Sequence, residues 1–336
     1  MSDTAPHTGG AGAGAETALR TWIDYGTDAV EGPTPSLVGQ LIEAGEPFWL
    51  DIENPTGEII DQLAVRLELH PLAVEDSKQF GQQGKVQIYD SVAMMVGFGL
   101  DPQMRKPVEV HCYYTNRFLI TLHRAPSTAL DALRRDRSVP PLLADDPVRA
   151  LHRLVSSLHA VFPAFVLKLD ERLDTLEQRV LREADDDDLS QITAIRHQAA
   201  AMRQTLTPGR NTTARMARVM SLPGATPDSH LYLEDLSDEL LRIVADLAAI
   251  EERCITLLGL QASLSGNHLA VVSRRLAAVA TIFLPISFLA GFFGENFNVL
   301  TGTAEKGTAA FWILSIGLTM ACILVTTFIL RRRRWT

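Results

Sequence analysis

Cysteine is scarce in this chain, and the three present (Cys112, Cys254 and Cys322) stand far apart. That spacing excludes a finger-type metal ligand set and a disulfide scaffold, and it suits a reduced, cytoplasmic domain. Positive charge is also short. The chain has 31 Lys and Arg against 40 Asp and Glu, a formal net charge of −9, which argues against a nucleic-acid partner. No strand-like run precedes the glycines between Gly9 and Gly14, so they make no phosphate loop. With neither a basic n-region nor an apolar h-region around them, residues 1–17 read as a flexible tail and not as a signal peptide. No nucleophile–base constellation stands out, so an enzyme is not expected, and nothing points to an organic cofactor.

The most informative absence is local. Residues 276–293 contain no charge in eighteen positions, and residues 309–330 contain none in twenty-two. Each run is long enough to cross the ~30 Å hydrocarbon layer as a helix. Arg274 and Arg275 precede the first run, and four arginines, Arg331 to Arg334, follow the second. Residues 294–308, between the runs, hold one Lys and two Glu. Basic flanks stay on the cytoplasmic side. The expected topology is therefore a multi-pass plasma-membrane (inner-membrane) protein with a short outer loop at 294–308. Both termini, including the basic tail 331–336, are then inside, and Trp335 fits an interfacial anchor.

The soluble part divides in two. Across residues 18–126 the pattern changes every ten to fifteen positions. Residues 48–52 read as a buried strand stopped by Asn54-Pro55. Ile59, Ile60, Leu63, Val65 and Leu67 recur at near-helical spacing, and residues 86–99 and 108–123 read as β-rich with a turn at 114–117. This is an α/β domain with its own core. After Pro126 only helical patterns remain, over 148–183 and 189–221. Asp185 to Asp188 between them read as a solvated tip of an antiparallel helical region, 127–230, in preference to a weak cation site. A third helix begins near Leu231 and meets no breaker before the membrane, so the stalk, 231–275, is expected to continue into the first span. A helix of that length usually packs against copies of itself, and the Leu and Ile positions from Leu236 through Leu264 offer a stripe for this.

Read at 3.6 residues per turn, the first span has two faces. One carries Ser273, Ala277, Ala280 or Thr281, Leu284, Ser287 and Gly291; the other carries Ile282, Phe283, Ile286, Leu289, Phe292 and Phe293. Small and polar residues opposite bulky ones suit a wall of a narrow path, and equally suit close helix packing. Pro285 removes an N–H and frees the carbonyl of Thr281, which inside a membrane must meet protein, water or an ion. The nine histidines show no ligand pair beside an acidic or thiol partner. His152 and His159, seven apart on one face, read as solvated or packed.

Several segments together resemble the CorA-type magnesium transporters and their ZntB-type zinc relatives. They are His70-Pro71-Leu72-Ala73-Val74-Glu75-Asp76, Lys85-Val86-Gln87-Ile88-Tyr89, the run from Thr281 to Gly291 (Thr-Ile-Phe-Leu-Pro-Ile-Ser-Phe-Leu-Ala-Gly), and the basic run closed by Trp335. The resemblance covers nearly everything after residue 35. It implies a homopentameric, funnel-like channel: an α+β cytoplasmic domain, a long stalk helix, a pore-lining first span and a second span at 309–330. It implies a divalent cation, Mg²⁺ by default, as cargo, with the bilayer and other copies of the chain as partners. Where the family has Gly-Met-Asn at the outer mouth, or Gly-x-Asn in the zinc branch, this chain has Gly294-Glu295-Asn296. Five Asn296 amide oxygens would form a neutral ring for a hydrated ion, and Gly294 would allow the turn that leaves the helix. Glu295 either lines the mouth, concentrating cations, or faces away and pairs with Lys306. Leu276 and Leu284 match the family's hydrophobic constrictions.

In the magnesium branch, ions bridging subunits hold the funnel closed. The matching carboxylates here are Asp76 and Asp235, with Asp238 three residues on along the same face; Asp235 also reads as an ordinary acidic residue near a helix N-terminus. Mg²⁺ is thus both the implied cargo and an implied regulator. Two alternatives stay open: a proton-coupled Zn²⁺, Co²⁺ or Ni²⁺ carrier, and a non-conducting membrane-anchored sensor that lost transport with the changed tripeptide.

Overall fold

The computed structural model describes residues 19–183, 186–219 and 222–294, together with 317, 320, 321, 323–325 and 328. The expected tail, most of the outer loop, most of the second span and the basic tail lie outside these. Two compact units are formed, Met1–Thr256 and Leu257–Thr336.

In the first unit the strands are β1 (Arg20–Tyr25), β2 (Asp28–Glu31), β3 (Phe48–Glu53), β4 (Lys85–Tyr89), β5 (Val92–Leu100), β6 (Pro107–Tyr114) and β7 (Phe118–His123). They form one sheet in the order β2-β1-β3-β7-β6-β5-β4. Among the described residues only β3 and β7 pair in parallel, with Asp51 opposite Thr121 and Glu53 opposite His123. The β6–β7 turn falls where the sequence places it: the Thr115 hydroxyl accepts from the Arg117 and Phe118 N–H groups at 3.1 and 2.9 Å.

The helices are α1 (Pro35–Ala44), α2 (Gly57–Leu67), α3 (Pro71–Lys78), α4 (Thr128–Asp136), α5 (Val139–Asp145), α6 (Pro147–His159), α7 (Phe162–Glu183), α8 (Asp186–Val219) and α9 (Ser229–Gly294). Thr34, Thr56 and Asp146 cap α1, α2 and α6 by accepting an N–H of the first turn, which satisfies donors that the helix cannot. Because side chains alternate across a strand, β3 is buried on both faces. Leu50 and Ile52 line one cavity with Val38 of α1 and Leu63 of α2, while Trp49 joins the core closed by Leu130, Leu133, Leu151 and Leu154 of α4 and α6.

Helix α2 forms at the near-helical spacing and buries Ile60, Leu63 and Leu67, while Val65 is 81% exposed. Three expectations need correction. The helix expected over 148–183 is two helices, because Pro163 has no N–H for the carbonyl of His159 and so sits in the first turn of a new helix. The tip after α7 is not wholly solvated: Asp188 is buried, 3.0 Å from the Arg179 guanidinium. Lastly, much of the stripe assigned to other copies is used within the chain, since Leu236, Leu240, Ile243, Leu247 and Ile250 are all buried. The unbroken helix is found, from Ser229 to Gly294.

Candidate ion pathway and regulatory carboxylates

Leu276, Ala277, Ala280, Thr281, Leu284, Ser287 and Gly291 all lie on α9. In the single chain Leu276 and Leu284 are 65% and 75% exposed. Among the described residues outside its own helix turn, nothing lies within 4 Å of where a Gly291 Cβ would stand. Pro285 is inside the helix, and one turn before it the Thr281 hydroxyl donates to the Ala277 carbonyl at 2.6 Å. Such back-bonding satisfies a hydroxyl in apolar surroundings and favours a local bend. Gly294 is the last residue of α9; Glu295 and Asn296 lie outside the described residues.

Asp76 sits in the last turn of α3 and is not a free carboxylate. The Lys85 ammonium, at the start of β4, is 2.6 Å from Asp76 Oδ2, with both side chains about three-quarters buried. Gln82 Nε2 donates to Asp76 Oδ1 at 3.2 Å, to the Asp76 carbonyl at 2.7 Å and to the Gln79 carbonyl at 3.0 Å. The loop that carries Gln82 is held in turn by Glu109 of β6, which accepts from the Gly81 and Gln82 N–H groups at 2.6 and 3.1 Å and from His111 at 2.6 Å. Burial alone would push the Glu109 carboxyl up; the His111 and backbone donors outweigh it and hold Glu109 below the usual carboxylate range. The charge of Asp76 reaches two phenols, since it adds to burial in raising Tyr89 and Tyr113, the latter to about 12.

Asp235 and Asp238 are both exposed near the start of α9. Asp235 accepts from His152 Nε2 at 2.8 Å, and one turn further Glu239 meets Ser156 at 2.7 Å and His159 at 3.0 Å. The two histidines of α6 therefore do have acidic partners, contrary to the sequence reading. The partners are 80 or more residues away in the chain, where spacing cannot reveal them. The contacts His152–Asp235, Ser156–Glu239 and Asp170–Arg253 share one offset, 83 residues, so α6 and α7 follow α9 in parallel register. Burial pushes the Glu239 carboxyl up, but the His159 and Ser156 hydrogen bonds bring it below the usual range. Among the described residues no group of three or more His, Cys, Asp or Glu is placed to hold a metal ion.

The chain thus joins a sheet with helices on both faces to one long helix, α9, whose later part is apolar. Residues 45–333 match the CorA-like Mg²⁺ transporter protein family, and the chain belongs to that family. The cobalt/magnesium transport protein CorA of Thermotoga maritima is 22% identical over 95% of this chain and 90% of its own length. The zinc transport protein ZntB of Yersinia pseudotuberculosis is 22% identical over 93% of each. The complete structure of the CorA magnesium transporter from Methanocaldococcus jannaschii superimposes with a TM-score of 0.80 at 18% identity, covering 95% of this chain and 99% of that one. That likeness shows a shared fold.

Proposed function

We propose that this chain is the subunit of a homopentameric divalent-cation transporter of the cell membrane, with Mg²⁺ as its cargo and both termini in the cytoplasm. The observation that carries the reading is the family match, which spans residues 45–333 and so takes in β3 and both apolar segments. In this reading α9 lines the path through Leu276, Ala277, Ala280, Thr281, Leu284, Ser287 and Gly291, and five copies of Gly294-Glu295-Asn296 form the outer mouth. Mg²⁺ releases its water reluctantly, so neutral Asn296 amides contacting the water shell bind it weakly enough to let it pass. An inside-negative potential supplies about 4.6 kcal/mol for two charges at 100 mV. Leu276 and Leu284 close the path by dewetting when they approach one another across the axis.

Regulation by cytoplasmic Mg²⁺ is assigned to Asp76 with Asp235, and Asp238, of a neighbouring subunit. Their oxygen donors are of the hard type that Mg²⁺ prefers. Each of the first two carries a partner of its own chain, Lys85 or His152, so a bridging ion has to displace it or share the carboxylate.

The likeness to a zinc transport protein over nearly the whole chain, and a tripeptide that keeps only Gly and Asn, favour a second reading as a proton-coupled Zn²⁺, Co²⁺ or Ni²⁺ carrier. Uptake of each ion into proteoliposomes, with the potential clamped and then with a pH gradient alone, separates the two. Mg²⁺ uptake that follows the potential supports the first. Zn²⁺ uptake that persists without a potential and follows the pH gradient supports the second.

A further inference from the structure

We propose that Lys85 is a tethered cation that competes with divalent ions for Asp76, holding the carboxylate when cytoplasmic Mg²⁺ is scarce and releasing it when Mg²⁺ is abundant. The inference rests on the reading of Asp76 as a regulatory carboxylate and goes beyond it by naming what occupies that carboxylate in the absence of the ion.

Three features of the local structure carry it. The pair is close, 2.6 Å, and partly shielded from water, unlike an exposed ion pair that contributes little. It is also built into the backbone. Lys85 follows directly on the loop that Glu109 anchors through two N–H groups. Gln82 folds that loop against the end of α3 by three hydrogen bonds, one of them to the second oxygen of Asp76. Both carboxylate oxygens thus meet donors of this chain. Finally, Lys85 has somewhere to go, since its side chain is still 28% exposed and can turn its ammonium into solvent.

The consequence is quantitative. If the carboxylate is free of Lys85 for only a fraction of the time, the apparent affinity for the divalent ion falls by that fraction. Lys85 would then set the Mg²⁺ concentration at which the cytoplasmic domain responds.

The test uses the full chain in detergent micelles, reading resistance to limited proteolysis and thermal unfolding across a Mg²⁺ titration. Native protein is compared with Lys85→Met, Lys85→Gln, Lys85→Arg and Asp76→Asn. The expected result is a Mg²⁺ midpoint lowered about fivefold or more in the two neutral variants. The charge-retaining arginine should stay within about twofold, and Asp76→Asn should lose most of the response. If the neutral variants are unfolded without Mg²⁺ but recovered by it, the ion is replacing the ammonium and the proposal stands; if Mg²⁺ does not recover them, it is wrong. An unchanged midpoint in folded Lys85→Met and Lys85→Gln, with Asp76→Asn still unresponsive, overturns the competition and leaves Asp76 as a regulatory site. A native response in Asp76→Asn removes the regulatory reading of Asp76 itself.

Discussion

Helix α9 handles its apolar residues in two ways along its length. In the stretch that belongs to the first unit, Leu233, Leu236, Leu240, Ile243, Leu247 and Ile250 recur every three or four residues, and each is buried by the chain's own helices. Beyond Leu264 many of the large apolar residues, among them Leu269, Leu276, Val279, Phe283, Leu284 and Phe288, are exposed in the single chain. Two periods of one helix thus answer to different surroundings. The first completes a core within one polypeptide; the second stays incomplete until a bilayer or further copies cover it. The charges follow suit. In the first stretch Arg253 bonds with Asp170, Asp174 and Glu177, and Glu251 with Arg203, whereas residues 276–293 contain none.

The largest effect that would sharpen this contrast lies in the buried charge network behind β3. Asp51 is inaccessible to solvent and accepts hydrogen bonds from Thr121, from Arg134 (Nε at 2.8 Å) and from His123 (3.4 Å). Arg134→Ala would leave that buried carboxylate with Thr121 and His123 but without its guanidinium, and we expect a loss of about 3–5 kcal/mol in denaturant unfolding of the detergent-solubilised chain. A loss under about 1 kcal/mol would mean that Thr121 and His123 suffice for Asp51.

Next in size, Leu240→Ala should cost about 2–4 kcal/mol through the cavity it leaves, while Leu284→Ala should change stability by less than about 0.5 kcal/mol. Equal losses at both positions would erase the distinction between the two stretches of α9.

The same network predicts a pH dependence. Burial would lower His123, but the Asp51 charge and hydrogen bond, with the Ala125 carbonyl, raise its pKa above the ordinary 6.5. Its contribution to stability is then complete below pH 6.5 and is lost as pH rises through the raised folded pKa. Burial pushes Asp51 up; His123 and Arg134 override it and hold it below 3.8, so its contribution is complete above 3.8 and is lost as pH falls through the lowered value. Unfolding midpoints measured from about pH 5 to about pH 9 should decline on the alkaline side, and His123→Gln should flatten that decline.

The smallest effect concerns α6 against α9. His159→Gln, which retains a donor toward Glu239, should cost about 1 kcal/mol or less. A much larger loss would make this contact a main brace of the helix pair.

Much of this was legible from residues alone. Phe48, Trp49, Leu50 and Ile52, stopped by Asn54-Pro55, read as a buried strand, and β3 forms there. Helix α9 was legible because nothing between Ser229 and the first charge-free run breaks a helix, and the turn at 114–117 because Asn116 and Thr115 favour one. What escaped is set by tertiary register. Nothing near His152 in sequence announces Asp235, since the pair depends on two helices running parallel at an offset of 83 residues. Lys85 stood within a recognised segment, yet its contact with Asp76 depends on a loop folded by Glu109, which lies on another strand. Pro163 was the available signal for the break between α6 and α7.

The most direct test of the central claim is Mg²⁺ flux into proteoliposomes containing the native chain, Asn296→Ala or Glu295→Met. The account predicts potential-driven uptake by the native chain and its loss in Asn296→Ala. A native chain that moves no divalent ion, with flux appearing only in Glu295→Met, would contradict it and leave a membrane-anchored sensor in place of a transporter.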